Sequence, residues 1–412
     1  MDDKNFVQDK PKKSGAWIWA ILGIAVLSAI ILFFLRGDED TWIKDKYGNW
    51  IKHGNPSEQS PDSSSPLTIP DKIMKNKFGF LGGGENDKGD MITESGAAWV
   101  RPHPGAFVWD MVQKSSSGEI DFTLTDEEIT NYQKNNLGIL VTLWPFADWD
   151  QKNLTDAASC KVADNDEFLP ENDKKGRGSY LPQYRCNPSD WIAYQKFIEA
   201  VVERYDGDGT DDMPGLKMPV KYWEVMNEPD LQYQNNMTAI SETSSLNFYK
   251  QGPSEYGQLL IKTSEAIRLA DGGSKVLIAG AAGADSRMLN FYREVLKNNN
   301  TLTAFDIGNI HCISNDRGTN DFNVNAYKNM LLGEFNITKP IWVTEAEAMY
   351  GTTGEANYLS TKKSTEGAIT VGAERIFYTR YTFDDFRTDM SQKTEASVYP
   401  NAKKYKEIIE GY

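Results

Sequence analysis

Two glutamates fall at the ends of two expected β-strands. Glu228 closes Lys221-Tyr-Trp-Glu-Val-Met-Asn-Glu-Pro-Asp230, and Glu345 follows Pro340-Ile-Trp-Val-Thr344. Strand ends are rigid, and two carboxyl groups held on them can divide the labour between proton donor and nucleophile or base. Cleavage of a glycosidic bond requires that division. The donor must stay protonated near neutral pH, which calls for a raised pKa from burial or a neighbouring carboxylate. Glu347 rivals Glu345, because two residues further along a strand is the same side.

Other groups share these ends. His103 follows Trp99-Val-Arg-Pro102, and His311 follows Asp306-Ile-Gly-Asn-Ile310. Two of the chain's three histidines thus sit at strand ends, and both are expected to touch substrate. Trp109, Trp144 and Trp149 are candidate faces for sugar stacking, Trp144 the best placed because Trp144-Pro145 ends a strand. Trp99 and Trp342 lie inside strands and read as core. Asp206-Gly-Asp-Gly-Thr-Asp-Asp212 resembles a calcium loop, but Lys217 stands where the last carboxylate belongs, so it reads as a solvated acidic turn.

Short apolar runs that alternate with helical patterns must position these groups. Strands are expected at Phe78–Leu81, Ala98–Pro102, Ile139–Leu143, Lys221–Met226, Val276–Ala279, Ile307–Ile310, Ile341–Thr344 and Ala373–Tyr378. Helical stretches fall at Asp126–Asn135, Asp190–Tyr205, Ser254–Leu269, Ser286–Lys297 and Val324–Leu332, with Asp126 and Asp190 as N-caps. Continuously apolar strands separated by helices indicate a parallel sheet covered on its outer side. Eight such units fit an α/β (β/α)8 (TIM) barrel, whose sites lie at the C-terminal strand ends. Phe80-Leu-Gly-Gly-Gly84 lacks the helix start of a dinucleotide turn. Two long insertions, Phe146–Ser189 and Asp230–Pro253, follow the third and fourth strands.

Tyr222-Trp-Glu-Val-Met-Asn-Glu-Pro229 resembles the fourth-strand signature of clan A glycoside hydrolases, and Pro340-Ile-Trp-Val-Thr-Glu345 resembles their seventh-strand nucleophile segment. The resemblance covers roughly Lys77 to Tyr412. It implies a retaining β-glycosidase with Glu228 as acid–base and Glu345 as nucleophile. It also implies that Asn227 binds the sugar 2-OH and that Arg101 keeps the nucleophile charged. Two departures are visible. The sixth strand reads His311-Cys312-Ile313 where many members carry His-x-Tyr. The eighth offers Tyr378, Tyr381 and Phe383 in place of a Trp platform, so Tyr378 is taken as the substrate contact there. These departures motivate the alternative of a non-catalytic cell-surface protein that binds glycans on an inherited barrel.

The 412 residues hold 44 basic and 59 acidic side chains, a net charge of −15. Such a balance excludes nucleic acid as a natural partner and suits a neutral carbohydrate. Neither metal nor cofactor is expected. Cys160 and Cys186 lie in one loop and either form a staple or stay as thiols beside Cys312.

Ala16 to Leu35 is a run of twenty uncharged residues, long enough as a helix to span a bilayer of ~30 Å. Lys10, Lys12 and Lys13 precede it and Asp38, Glu39 and Asp40 follow, which places the N-terminus in the cytoplasm and the rest outside. A cleaved signal peptide is the competing reading, disfavoured by Leu35-Arg36-Gly37-Asp38 at the cut. The expected organisation is a cytoplasmic tail (1–15), a transmembrane signal anchor (16–35), a Ser/Pro-rich extracytoplasmic stalk (36–70) and the barrel (71–412). Trp42–His53 within the stalk reads as a small amphipathic or hairpin element turning at Tyr47-Gly48-Asn49.

Overall fold

Apolar runs of four to six residues, buried on both faces, form eight parallel strands in a computed structural model of the chain. The structure describes residues 41–44, 50–53, 66–82, 89–162, 181–231, 247–313, 320–347, 354–379, 383 and 400–412. The chain divides into two units, Met1–Ser63 and Ser64–Tyr412. In the first, Thr41–Lys44 pairs antiparallel with Trp50–His53 as a hairpin. The apolar stretch Ala16–Leu35 and the 54–65 part of the expected stalk lie outside the described residues. Among those described, no helix is long and apolar enough to cross a membrane.

In the second unit the strands are β1 (Phe78–Gly82), β2 (Trp99–Pro102), β3 (Gly138–Leu143), β4 (Tyr222–Val225), β5 (Lys275–Ile278), β6 (Gly308–Cys312), β7 (Ile341–Ala346) and β8 (Ala373–Tyr378). Each pairs parallel with its sequence neighbour, and β8 pairs with β1. Bridges Leu277↔Ile307 and Ala281↔Ile310 join β5 to β6 and close the ring. The helices that follow the strands are α1 (Gly89–Glu94), α2 (Thr123–Gln133), α3 (Trp191–Tyr205), α4 (Pro253–Ala270), α5 (Ser286–Leu296), α6 (Val324–Asn329), α7 (Gly354–Val371) and α8 (Pro400–Ile409). The architecture is a (β/α)8 barrel.

Asp190 caps α3 by accepting from the backbone N–H groups of Ile192 and Ala193. Asp126 does not cap α2, which begins three residues earlier. Its carboxylate pairs instead with Arg204 of α3 at 2.7 Å, tying two neighbouring helices together.

Strand alternation sorts the core into two layers. Outward residues such as Val100, Val141, Trp223 and Val343 pack under the helices. Inward residues Trp99, Leu140, Tyr222, Leu277, Trp342 and Phe377 fill the floor of the barrel. The Arg375 guanidinium stacks 3.9 Å above the Trp99 ring there, and it donates to the carbonyls of Asn76 and Met74. The floor is therefore closed, and only the opposite end can hold a site. Loop cysteines Cys160 and Cys186 are joined by a disulfide, and Cys312 is a buried thiol.

Candidate active site

Above the aromatic floor the inward side chains become polar. Arg101 of β2 is fully buried and donates from three nitrogens: Nε to Glu224 at 2.6 Å, Nη1 to Glu345 at 2.8 Å, and Nη2 to Asn227 Oδ1 at 2.6 Å. Burial works against its charge, yet the two carboxylates more than offset that and hold the guanidinium protonated. Glu224 also accepts from Thr142 at 2.7 Å and from Asn309 Nδ2 at 2.7 Å. One cation thus organises residues from three strands.

Two local distortions bring the glutamates to the axis. In β7 the ladders to both neighbours slip at one place: Ile310 pairs with Val343 but His311 with Glu345, and Ile376 with Val343 but Tyr378 with Ala346. That bulge at Thr344 lets Thr344 and Glu345 both face inward, which strict alternation forbids. Beyond β4, Met226 and Glu228 take φ of 70° and 40°, a region sparsely used by such residues. The turn carries both Asn227 and Glu228 into the site. Behind it, the buried Asp230 accepts from the Ala282 N–H with both oxygens, at 3.2 and 3.1 Å.

Glu228, His311 and Glu345 each place one ligand-type atom within 4.8 Å of the other two. His311 Nδ1 is 2.7 Å from Glu228 Oε1, and Nε2 is 2.8 Å from Thr344 Oγ1. Burial raises the Glu228 pKa to about 7, reinforced by Glu224 and opposed by Arg101. Burial also raises Glu345, but His311 and the Arg101 contact work the other way. Burial lowers His311 to about 4, so the ring is neutral at pH 7. Chemically, the site holds one carboxyl group prone to keep its proton and a second held against a fixed cation. Three such donors could ligate a transition metal, but Arg101, Thr344 and the Glu228–His311 contact already engage them.

The sequence-derived residues fare unequally. Arg101, Asn227, Glu228, His311 and Glu345 converge. His103 joins them at the edge, its pKa pushed well below the usual range by burial and by Arg101, and its Nδ1 has no hydrogen-bond partner among the described residues. His311 departs from the expected substrate contact: it is fully buried, with Nδ1 on Glu228 and Nε2 on Thr344. Trp144 is a correction. Its ring is wholly enclosed, its indole N–H donates to Pro104 O, and His103, Phe146 and Phe248 surround it. No face is open for a sugar.

Tyr378 is also corrected, since Phe377 takes the inward place and turns Tyr378 outward against Tyr405 and Thr365. Phe383 is buried on Tyr405, and Tyr381 lies outside the described residues. Trp109 is enclosed against Trp149. Glu347 is bonded by Thr379 at 3.3 Å rather than by Arg101. The Asp206, Asp208 and Asp212 carboxylates accept backbone N–H groups of their own turn. Glu224, Asn309 and Thr344 were missed. A charge at the centre of the apolar strand Tyr222–Val225, at an inward parity, was the available signal.

No protein-family model and no curated protein sequence matches the chain. Among solved structures it is similar to a glucosidase from Croceicoccus marinus, at a TM-score of 0.54 and 14% identity, covering 84% of this chain and 68% of that one. It is likewise similar to a monomeric β-xylosidase from Caulobacter crescentus, at a TM-score of 0.51 and 15% identity, covering 83% and 68%. At such identity the likeness establishes the barrel fold. That these fold neighbours are glycoside hydrolases agrees with the clan A resemblance of the β4 and β7 segments.

Proposed function

We propose that the protein is a retaining β-glycosidase acting on oligo- or polysaccharides outside the cell. One observation carries the reading: a protonation-prone Glu228 and an Arg101-bound Glu345 present oxygens within 4.8 Å of each other. Retaining enzymes hold their carboxyl groups at ~5–5.5 Å, whereas inversion needs room for a water between them. Glu345 attacks the anomeric carbon as Glu228 Oε–H protonates the departing oxygen, giving a glycosyl ester on Glu345. Glu228, now ionised, takes a proton from water, whose oxygen displaces Glu345. Asn227 uses Oδ1 on Arg101, which leaves its Nδ2 for a sugar hydroxyl.

The names of the two fold neighbours, a glucosidase and a β-xylosidase, support glucosides and β-xylosides as the first substrates to try. The disulfide Cys160–Cys186 supports an oxidising compartment, in keeping with the anchor read at Ala16–Leu35. The test is hydrolysis of an aryl β-glycoside panel. Glu345→Ala should abolish turnover, and azide should restore it with an α-glycosyl azide as product. Binding of a polysaccharide without hydrolysis of any panel member, unchanged in Glu228→Gln, would instead support the non-catalytic alternative.

A further inference from the structure

A chain of polar side chains runs from the Arg101–Glu224 ion pair to the acid, and each link has only one workable orientation. Glu224 is bonded by Arg101 and can only accept, so Asn309 must turn its amide Nδ2 toward it. Asn309 Oδ1 therefore faces Thr344, whose hydroxyl donates to it at 2.8 Å. That uses the one hydroxyl proton, and Thr344 Oγ1 can then only accept from His311 Nε2, at 2.8 Å. The ring is neutral and carries a single ring N–H. With that proton on Nε2, Nδ1 is a bare acceptor.

Its neighbour at 2.7 Å is Glu228 Oε1, while Glu345 Oε1 at 3.7 Å is beyond hydrogen-bond reach. A lone pair on Nδ1 is satisfied only if Glu228 supplies the proton.

We infer that Asn309 and Thr344 are positioning residues that fix the Nε2–H tautomer of His311, so that the ring holds the proton of Glu228. Resting on the proposed reaction, this deepens it. In the first step the O–H bond of Glu228 breaks and its proton passes to the leaving oxygen. The carboxylate then faces a lone pair, which strengthens it as the base that takes a proton from water in the second step. Gly280 completes the device: any Cβ there would lie 2.0 Å from His311 Nε2, so the glycine leaves the ring its place.

The test is two-bond 1H–15N correlation on the full chain labelled with [15N]histidine. The chain has three histidines, and His311 is assigned by elimination with His53→Gln and His103→Gln. The expected spectrum at pH 6 shows His311 Nε2 protonated and Nδ1 bare. An Nδ1–H or doubly protonated ring in the wild type overturns the inference. Thr344→Val, which removes the acceptor, should shift the ring toward Nδ1–H, and Thr344→Ser should retain the Nε2–H form. An unchanged tautomer in Thr344→Val also overturns it.

In the pH profile of kcat/KM, Thr344→Val should move the basic limb down by about one unit. The groups facing His311 that could otherwise shape this limb are Glu228, Glu345, Arg101, Glu224 and His103. An unmoved limb counts against the relay. If no glycoside is hydrolysed, the reaction fails alone and the spectra still decide the tautomer. If Thr344→Val does not fold, the wild type and Thr344→Ser decide it.

Discussion

Glu228 and Glu345 differ in two contacts: Arg101 donates directly to Glu345 and only acts across space on Glu228, whereas His311 Nδ1 reaches Glu228 at 2.7 Å but not Glu345. The difference has a sign that can be measured in stability. A carboxyl at about 7 in the folded chain and near 4.5 when unfolded makes the native state bind more protons between those values. Its contribution is therefore complete at low pH and is lost as pH rises from about 4.5 through 7. Glu228→Gln removes this loss, so the variant should be more stable than wild type at pH 8, by about 3 kcal/mol, with most of the advantage gone at pH 5. Denaturant melts at the two pH values check it, and a pH-independent difference would refute the assignment. Arg101 is the reverse case. Arg101→Met leaves Glu224 and Glu345 buried without their cation and should cost about 3–5 kcal/mol. Arg101→Lys keeps a charge but cannot span three acceptors. It should fold and lose roughly 10²-fold in kcat, measured on whichever aryl glycoside is turned over.

At the scale of elements, the barrel was legible because all eight strands are short apolar runs and helical patterns follow the second to the sixth; the helices Gly89–Glu94, Gly354–Val371 and Pro400–Ile409 carry no comparable signal. The side-chain directions were not equally legible. Tyr378 was misread because strand parity places Phe377 inward, and parity cannot be set without knowing which end residue pairs with β7. Trp144 was misread because Phe248, over a hundred residues away, covers it. The Thr344 bulge leaves no mark in the sequence, yet without it Glu345 would point into the helices. Glu224 could have been found: its alternate neighbour Tyr222 and Glu224 itself share a face, and a carboxylate in mid-strand needs a partner. The element-level prediction concerns close approach between β5 and β6. Gly280→Ala should push the His311 ring off Thr344 and Glu228, lowering kcat/KM at least ten-fold and stability by about 1–3 kcal/mol. Gly333→Ala, where an added Cβ meets nothing within 4 Å, is the control and should be neutral in both activity and melting.

For the whole molecule, two independent features bear on where the barrel works. The lysines before Ala16 and the acidic residues after Arg36 are the charge bias expected of a proposed anchor with its N-terminus in the cytoplasm. Far along the chain, Cys160 and Cys186 are joined across 26 positions, a bond that forms in oxidising compartments and is suppressed in the cytoplasm. Neither feature depends on the other, and both support the proposal that the barrel works outside the cell. The bond also ties down the segment that leads from β3 to α3. Closing a loop of that length should be worth roughly 3 kcal/mol, so Cys160→Ser with Cys186→Ser should lower the unfolding midpoint accordingly. The location makes a separate prediction. In intact cells that make the full chain, protein should sediment with membranes and resist carbonate extraction. A protease added outside should release the barrel, and Cys160 and Cys186 should react with maleimide only after reduction and denaturation. Sedimentation with membranes while the barrel stays protected, and both thiols free, would place it on the cytoplasmic side. The substrate would then have to be a small glycoside made or imported by the cell, because no polymer on the outer face could reach Glu228 and Glu345.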